Sequence, residues 1–215
     1  MAKQISAVEA AALIENKASV MIGGFLNCGS PEKLIDEVLA AGKKGLTIIA
    51  NDTAFPDKGI GKLIVEKRAQ KAIVSHIGTN PETGRQMNAG ELEVELVPQG
   101  TLAEKIRAGG FGLGGFLTPT GVGTPVAQNK ETKVVNGKDY LLELPLKADV
   151  ALIKAYKADK AGNLVYRRSA RNFNPFMATA ADVVVVEAEQ IVEIGEIDPD
   201  EVVTPGIFVQ YLVKG

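Results

Sequence analysis

Residues 20–31 read Val20-Met21-Ile22-Gly23-Gly24-Phe25-Leu26-Asn27-Cys28-Gly29-Ser30-Pro31. Three apolar residues lead into two glycines, which is typical of a buried strand that ends in a tight loop. Ser30 and Pro31 then suit a helix start, because proline is favoured in the first helical turn. The stretch therefore predicts a strand, a glycine loop and a helix in succession, the unit from which parallel sheets with helices are built.

The segments on either side continue this alternation. Ser6 and Glu9 have the spacing of a capping box and predict a helix that ends near Asn16. Apolar or alternating runs predict further strands, and helical spacing predicts further helices: strands at 46–50, 72–75, 92–97, 150–153 and 183–186, and helices at 30–42, 63–65, 101–108 and 174–181. This order indicates an α/β protein with a mainly parallel sheet flanked by helices.

The middle of the chain interrupts the alternation. Asn136-Gly137 between two short apolar runs predicts a β-hairpin, because this dipeptide suits a two-residue turn. Residues 109–123 are rich in glycine and predict a long loop, either near a site or subunit boundary or purely structural. Residues 110–115 satisfy G-x-G-x-x-G, but they follow a predicted helix, which argues against a dinucleotide site. We expect one α/β domain, 1–215, with an inserted hairpin.

Composition narrows the class of protein. The chain has 215 residues, 46% of them hydrophobic, and a formal net charge of −2. That charge argues against a nucleic-acid or anionic-membrane binder. A single cysteine, Cys28, and a single histidine, His76, favour neither a disulfide nor a metal site. The N-terminus lacks a signal peptide's apolar segment and no apolar run would span a membrane, so we expect a cytoplasmic protein without a bound metal.

The glycine loop is the first candidate site. Glycine lets a ligand approach the backbone closely, and the following helix start offers amide donors and a favourable dipole for an anion. Ligands of open α/β sheets also bind at the carboxyl ends of strands. The alternative is a tight turn that binds nothing. The candidate ligand-binding residues are Gly23, Gly24, Phe25, Leu26, Asn27, Cys28 and Gly29.

Five side chains are candidates for chemistry, of which Cys28 belongs to the glycine loop itself. Gln99 follows a predicted strand, and its amide can donate to a developing oxyanion, although a turn residue bonded to local backbone is an alternative. Cys28 and His76 form a possible nucleophile and base, but a structural histidine at a strand end is commoner. Glu187, after the strand at 183–186, is a possible acid or base, but such residues are usually just solvated; the same holds for Glu189.

Several of these segments resemble one known family. Gly23-Gly24-Phe25, then Gly29 and Pro31, match the signature of family I coenzyme A transferases; Asn16 fits the start of that signature, whereas Lys17 departs from its usual Gly or Asn. Further matching segments span nearly the whole chain and look like the alpha subunits that act on acetate, butyrate and acetoacetate: 51–53, 59–61, 76–81, 98–102, 109–115 and 172–175.

The resemblance implies a fold, a reaction and a partner. It implies a coenzyme A transferase-type, Rossmann-like domain that exchanges coenzyme A between a short-chain acyl-CoA and acetoacetate, acetate or butyrate. In the family, a glutamate in a Ser-Glu-Asn-Gly motif forms a glutamyl-CoA thioester. That motif is absent from this chain, so the resemblance implies a beta subunit that carries it, commonly in an alpha2beta2 heterotetramer.

The resemblance also assigns roles within this chain. The loop from Gly23 to Gly29 corresponds to the coenzyme A-binding segment, and Gln99 corresponds to a position near the thioester. Coenzyme A then acts as substrate, with no permanently bound cofactor. Two other functions stay open: a coenzyme A-binding module without transferase activity, and a stand-alone acyl-CoA hydrolase that uses Glu187 or Cys28.

Overall fold

The computed structural model describes all residues from 1 to 215 and contains twelve strands and six α-helices. The strands are β1 (Lys3–Gln4), β2 (Ser19–Ile22), β3 (Leu46–Ile49), β4 (Ala69–Val74), β5 (Glu93–Leu96), β6 (Phe116–Thr118), β7 (Thr132–Val135), β8 (Lys138–Glu143), β9 (Ala148–Asp159), β10 (Leu164–Val165), β11 (Ala181–Val192) and β12 (Tyr211–Lys214). The helices are α1 (Ala7–Ala12), α2 (Glu32–Ala40), α3 (Ile60–Val65), α4 (Pro81–Asn88), α5 (Gln99–Gly110) and α6 (Asn174–Met177).

Nine of the strands form the main sheet. Eight of them are ordered β1-β12-β11-β9-β2-β3-β4-β5, and every pair along this path is parallel. The short β10 pairs antiparallel with β9 off this path. The strand order runs outward from β2 in one direction and from β9 in the other, so the topological switch point lies between these two strands. In such sheets the carboxyl edge at the switch point is the favoured place for a ligand.

Helices cover both faces of the sheet. Successive side chains of a strand point to opposite faces, so Val20 and Ile22 of β2 pack with α1, α2 and α3, whereas Met21 packs with α5 and α6. All three side chains are at most 1% exposed. A strand buried on both faces has a continuous apolar sequence, which explains the run at 20–22. The prediction of a mainly parallel α/β fold is confirmed.

The inserted segment forms a small antiparallel sheet, β6-β8-β7. The predicted hairpin is confirmed: Asn136 and Gly137 have φ of 51° and 73°, as the mirror-image turn between β7 and β8 requires. The last residue of β8, Glu143, is 1% exposed and forms ion pairs with Lys130 at 2.5 Å and Lys105 of α5 at 3.5 Å. The pair with Lys105 attaches the small sheet to the helix that precedes it, whereas the pair with Lys130 lies within the inserted segment.

Several predicted boundaries are wrong. Helix α1 has the predicted capping box at Ser6 but ends at Ala12, well before Asn16. The chain then turns at Lys17, which adopts a φ of 70°. This left-handed conformation favours glycine or asparagine, the residues usual at that position of the family signature. The helix predicted at 174–181 ends at Met177, because the strand that pairs with β9 already begins at Ala181.

Other elements differ from expectation or were not predicted. The loop predicted at 109–123 contains the end of α5 and the strand β6, which pairs with β8. Helix α4 was not predicted, although Asn80 caps it by accepting from the amide of Glu82 at 3.2 Å. The edge strand β1 and its neighbour β12 were also not predicted. No helix has both the length and the apolar character needed to cross a bilayer.

Candidate functional site

A cleft of about 390 Å³ lies at the carboxyl edge of the main sheet. Its lining residues follow four neighbouring strands: Phe25 and Leu26 after β2, Asn51 and Asp52 after β3, Ser75, His76 and Thr79 after β4, and Gln99 after β5. Because parallel strands end at the same edge, four segments far apart in sequence meet at one cleft. The structure thus brings two parts of the predicted site together, the tip of the glycine loop and Gln99.

The loop after β2 has a defined conformation. Phe25 and Cys28 exchange backbone hydrogen bonds of 3.0 and 2.9 Å, which close a tight turn between them. Gly24 has a φ of 126°, and its position against Ser30 leaves no room for a side chain. Leu26 also has a positive φ, 53°. Non-glycine residues rarely adopt this conformation, and such strain is concentrated at functional sites.

The loop leaves several polar groups without partners inside the chain. The backbone amides of Gly24, Asn27 and Gly29 donate to no acceptor, although Gly24 is buried. The side-chain oxygen of Asn27 is also buried and unpaired. Buried polar groups are normally hydrogen-bonded, so this set is suited to bind a ligand with both donors and acceptors.

Asn174 holds the loop from behind. Its side chain is fully buried, and its Nδ2 donates to the carbonyls of Gly29 at 3.0 Å and Ala170 at 2.8 Å. Its Oδ1 accepts from the amide of Lys154 at 3.0 Å. A Cβ on Gly23 would overlap this carboxamide, so the loop approaches Asn174 closely only because residue 23 is glycine. Asn174 belongs to the matched segment 172–175, but its contacts could not be read from the sequence.

Gln99 is the first residue of α5, not a turn residue bonded to local backbone. Its Nε2 donates to Oδ1 of Asn51 at 2.8 Å, and its side chain is exposed at the cleft. Because one N–H of Nε2 is used by Asn51, the second remains available to a ligand. The arrangement matches what an oxyanion donor requires, a fixed amide with a free N–H.

Asp52 is the carboxylate of the cleft, but it is not free to react. It is 3% exposed, and its two oxygens accept three hydrogen bonds, from the amides of Leu26 and Ala54 and from the side chain of Asn51. All three distances lie between 2.6 and 2.7 Å. A carboxylate saturated in this way is a poor nucleophile, and its geometry suits a structural role.

The structure does not join Cys28 and His76. Cys28 is exposed, and its Sγ lies 3.1 Å from Oγ of Ser169. His76 lines the cleft and makes no side-chain hydrogen bond within the chain, to Cys28 or to any other residue. A Cys-His pair therefore has no support in the geometry.

The expectation of a solvated Glu187 is wrong. It lies within β11 and is 2% exposed, with an ion pair to Lys154 at 3.0 Å. Its other oxygen accepts from the amide of Leu34 in the first turn of α2 at 3.2 Å. The N-terminus of α2, predicted to attract an anion, is therefore partly occupied by a carboxylate of the same chain. Glu189, two residues further on, is exposed as expected.

A second, more apolar cavity of about 470 Å³ adjoins the loop region. Phe111, Phe176 and Phe208 contribute to its wall. Tyr166 lies buried in the neighbouring core, and its hydroxyl is 2.8 Å from that of Thr204. Burial, the largest effect, raises the pKa of Tyr166 well above its ordinary value. No group of three or more His, Cys, Asp or Glu side chains is placed to hold a metal ion.

The fold and the cleft define an α/β protein with a polar cleft at the carboxyl edge of a parallel sheet, beside its topological switch point. Comparison with known proteins identifies the family. The model of the coenzyme A transferase family matches residues 4–215, so the chain belongs to this family. The prediction made from the glycine loop and the other matched segments is confirmed.

Two relatives show which kind of subunit the chain resembles. It is 54% identical over 211 residues to the acetate CoA-transferase subunit alpha of Escherichia coli K12, covering 98% of this chain and 96% of that protein. It is 55% identical over 196 residues to the acetoacetyl-CoA:acetate/butyrate CoA transferase alpha subunit of Clostridium acetobutylicum. That match covers 91% of this chain and 90% of that protein. Both relatives are alpha subunits, which implies a beta subunit as partner.

A solved structure agrees with the fold. The acyl-CoA transferase of Escherichia coli O157:H7, solved as a thioester complex with CoA, superposes with a TM-score of 0.87 at 20% identity. The match covers 100% of this chain and 47% of that one. At this identity the likeness concerns the architecture, and it confirms the coenzyme A transferase-type α/β fold.

Proposed function

We propose that this chain is the alpha subunit of a short-chain CoA-transferase that binds the acyl-CoA thioester and supplies Gln99 as oxyanion donor, while a beta subunit supplies the nucleophilic glutamate. One observation carries the proposal: Gln99 and the tip of the glycine loop line the same cleft, which contains no reactive carboxylate. Asp52 is saturated with hydrogen bonds, and Glu187 is not among the residues that line the cleft.

The proposed reaction has two symmetric halves. The partner's glutamate attacks the thioester carbonyl, the C–S bond breaks, and an acyl-glutamyl anhydride and coenzyme A thiolate result. The thiolate attacks the glutamyl carbonyl, releases the first carboxylate and leaves a glutamyl-CoA thioester. The acceptor carboxylate then attacks that thioester, and the same steps in reverse give the new acyl-CoA and the free glutamate. Splitting the exchange in this way predicts ping-pong kinetics.

The residues of this chain have two tasks in that scheme. The free N–H of Gln99 donates to the carbonyl oxygen while it carries negative charge, which stabilises the transition state more than the ground state. The unpaired amides of Gly24, Asn27 and Gly29 bind polar groups of the coenzyme A moiety. Binding energy from these remote parts of the substrate can then position the thioester at Gln99.

The named relatives suggest the acids. Acetate, butyrate and acetoacetyl-CoA are the substrates in their names, and we propose the same class of short-chain acids and acyl-CoA for this chain. The choice among short straight-chain acids is expected to be weak, because one methylene contributes only about 1–3 kcal/mol to discrimination. We also propose an alpha2beta2 assembly, since a site shared by two chains requires a stable interface.

The alternative of a stand-alone hydrolase has less support. Its candidate nucleophiles were Glu187 and Cys28. Glu187 is buried in an ion pair with Lys154, and the thiol of Cys28 is hydrogen-bonded to the hydroxyl of Ser169. Neither lines the cleft with Gln99. A coenzyme A-binding module without transfer activity would use the same loop, and the experiment below distinguishes it.

The test measures transfer of coenzyme A from acetoacetyl-CoA to acetate. The chain is assayed alone, with a candidate beta subunit that has the Ser-Glu-Asn-Gly motif, and with that subunit after its glutamate is changed to alanine; the beta subunit alone is the control. The proposal expects activity only in the mixture with the intact glutamate, with parallel lines in double-reciprocal plots. Full activity of this chain alone would refute it, whereas binding without transfer in the intact mixture would favour the binding module.

A further inference from the structure

We propose that Asp52 is a positioning residue that links the conformation of the glycine loop to the orientation of the Gln99 amide. The inference rests on the proposed function of Gln99 and goes beyond it by naming the group that aligns the donor. Asp52 follows β3, and it does not itself touch the reacting atoms in this scheme. Its effect is transmitted through hydrogen bonds to the residues on either side of it in the cleft.

The hydrogen bonds from Asp52 through Asn51 to Gln99 have a fixed direction. A carboxylate only accepts, so Asp52 Oδ2 requires the side chain of Asn51 to present its Nδ2, at 2.6 Å. The Oδ1 of Asn51 must then point the other way, where it accepts from Nε2 of Gln99 at 2.8 Å. Gln99 can satisfy this contact only with its NH2 group. The acceptor oxygen Oδ2 of Asp52 therefore determines which end of the Gln99 amide is fixed and leaves one N–H of that group free.

Asp52 is also linked by a hydrogen bond to the glycine loop. The same oxygen of Asp52 accepts from the amide of Leu26 at 2.7 Å, and Leu26 has a φ of 53°. The other oxygen accepts from Ala54 at 2.7 Å, and Ala54 has a φ of 52°. Two non-glycine residues in an uncommon conformation are thus held by one buried carboxylate. Such conformations persist only where the surrounding contacts enforce them.

Burial and further hydrogen bonds make the side chains of Asn51 and Asp52 rigid. Asn51 and Asp52 are 2% and 3% exposed, so little water is available to replace a lost bond. The hydroxyl of Ser75 donates to Oδ1 of Asn51 at 3.2 Å and to its carbonyl at 2.7 Å, which further restrains that side chain. Hydrogen-bonded side chains in a buried network orient one another. This network aligns the donor N–H of Gln99 at one of its ends and holds the glycine loop at the other.

The test is a kinetic double-mutant cycle in the assembled enzyme. Asp52→Ala, Gln99→Ala and the double variant are compared for kcat and for the KM of acetoacetyl-CoA. Asp52→Ala is expected to lower kcat at least about tenfold, a part of the roughly 10²–10³-fold that loss of an oxyanion donor costs. In the Gln99→Ala background, Asp52→Ala is expected to lower kcat no further, because Asp52 acts on kcat through the side-chain amide of Gln99. The KM is expected to rise in both backgrounds, since the bond to Leu26 is lost in each.

Two further variants separate positioning from general damage. Asp52→Asn keeps one oxygen that can accept from Leu26 and Asn51 and loses only the hydrogen bond from Ala54, which does not lead to Gln99. It is therefore expected to restore kcat to within about threefold of the original enzyme. Asp149→Ala is the matched control: Asp149 accepts from the amide and hydroxyl of Ser19, both at 2.7 Å, at the opposite edge of the sheet. Its removal is expected to leave kcat unchanged.

The outcomes distinguish this inference from the proposed function. If Gln99→Ala alone leaves kcat unchanged, the role of Gln99 is refuted and the inference with it. If Gln99→Ala lowers kcat but Asp52→Ala lowers it equally in both backgrounds, only the role of Asp52 is refuted. Should Asp52→Ala fail to assemble, Asn51→Ala replaces it in the cycle, because it breaks the same connection one step closer to Gln99. Additive losses in that cycle would equally overturn the inference.

Discussion

Replacing Gly23 by alanine places a methyl group where the side chain of Asn174 lies. A Cβ built on Gly23 lies 2.6 Å from Cγ of Asn174, whereas non-bonded carbons prefer about 3.5–4.0 Å. Asn174 cannot move away without loss, because it is fully buried and its carboxamide bonds three backbone groups. Either these bonds break or the glycine loop shifts away from its position after β2.

The cost can be estimated from the two effects. Overpacking of a tight interior costs about 1–3 kcal/mol, and leaving one buried polar group unpaired costs about 1–3 kcal/mol. From the two together, we expect Gly23→Ala to lower the free energy of unfolding by about 2–6 kcal/mol. For a protein of this size that lowers the melting temperature by roughly 4–24 °C. The control is Gly84→Ala within α4, where a Cβ meets no atom within 4 Å; it is expected to stabilise by about 0.5–1 kcal/mol.

Thermal and urea unfolding of both variants, in the same state of assembly as the original protein, provide the measurement. The double variant Gly23→Ala with Asn174→Ala is the sharper test, because alanine at 174 vacates the space that the new methyl needs. Its destabilisation is therefore expected to be smaller than the sum of the two single effects. A Gly23→Ala variant as stable as the original, or strict additivity in the pair, would refute the packing argument.

Three further predictions follow from other residues. Lys17→Gly is expected to raise the free energy of unfolding by about 0.5–1 kcal/mol in urea titrations, because Lys17 has a φ of 70°, and a lower stability would contradict this. Tyr166→Phe is expected to lower the free energy of unfolding by about 1 kcal/mol at neutral pH, because the hydroxyl of Thr204 loses its buried hydrogen-bond partner. Burial raises the pKa of Tyr166 above its ordinary 10.0, so its contribution to stability is complete below pH 10 and is lost as pH rises further; unfolding of the phenylalanine variant should depend less on alkaline pH. Gln99→Ala is expected to lower kcat about 10²–10³-fold with little change in the KM of acyl-CoA, whereas Gln70→Ala, an exposed glutamine on β4, should leave both unchanged.

Local sequence signals predicted much of the fold. The capping box at Ser6, the hairpin turn at Asn136 and the apolar run at 20–22 each determine a conformation within a few residues, and each was confirmed. Helix α4 was missed because its sequence is polar and contains Gly84, so it has no apolar periodicity. The edge strand β1 has only two residues, too few to carry a pattern, and β12 is held in the sheet by pairing with both β1 and β11.

The site was predictable in part. The glycine loop and Gln99 could be named from sequence, because glycine spacing and a family resemblance mark them. The roles that depend on tertiary contacts could not be read there. Asp52 looks like any acid after a strand until its bonds to Leu26 and Asn51 are seen. Glu187 was expected to be solvated because its neighbours suggested a strand end, whereas β11 continues to Val192 and buries it.

The place of β2 in the sheet has a consequence for how the chain folds. Its neighbour β3 follows closely in sequence, but on the other side its contact with β9 joins Ser19 to Asp149, 130 residues away. At about 5–20 residues per second, a ribosome needs on the order of ten seconds to make the intervening chain. During that interval one apolar edge of β2 has no partner, and unpaired edges promote aggregation. Newly made chains should therefore depend on chaperones until β9 emerges, and folding should be slow because its central pairing is so remote.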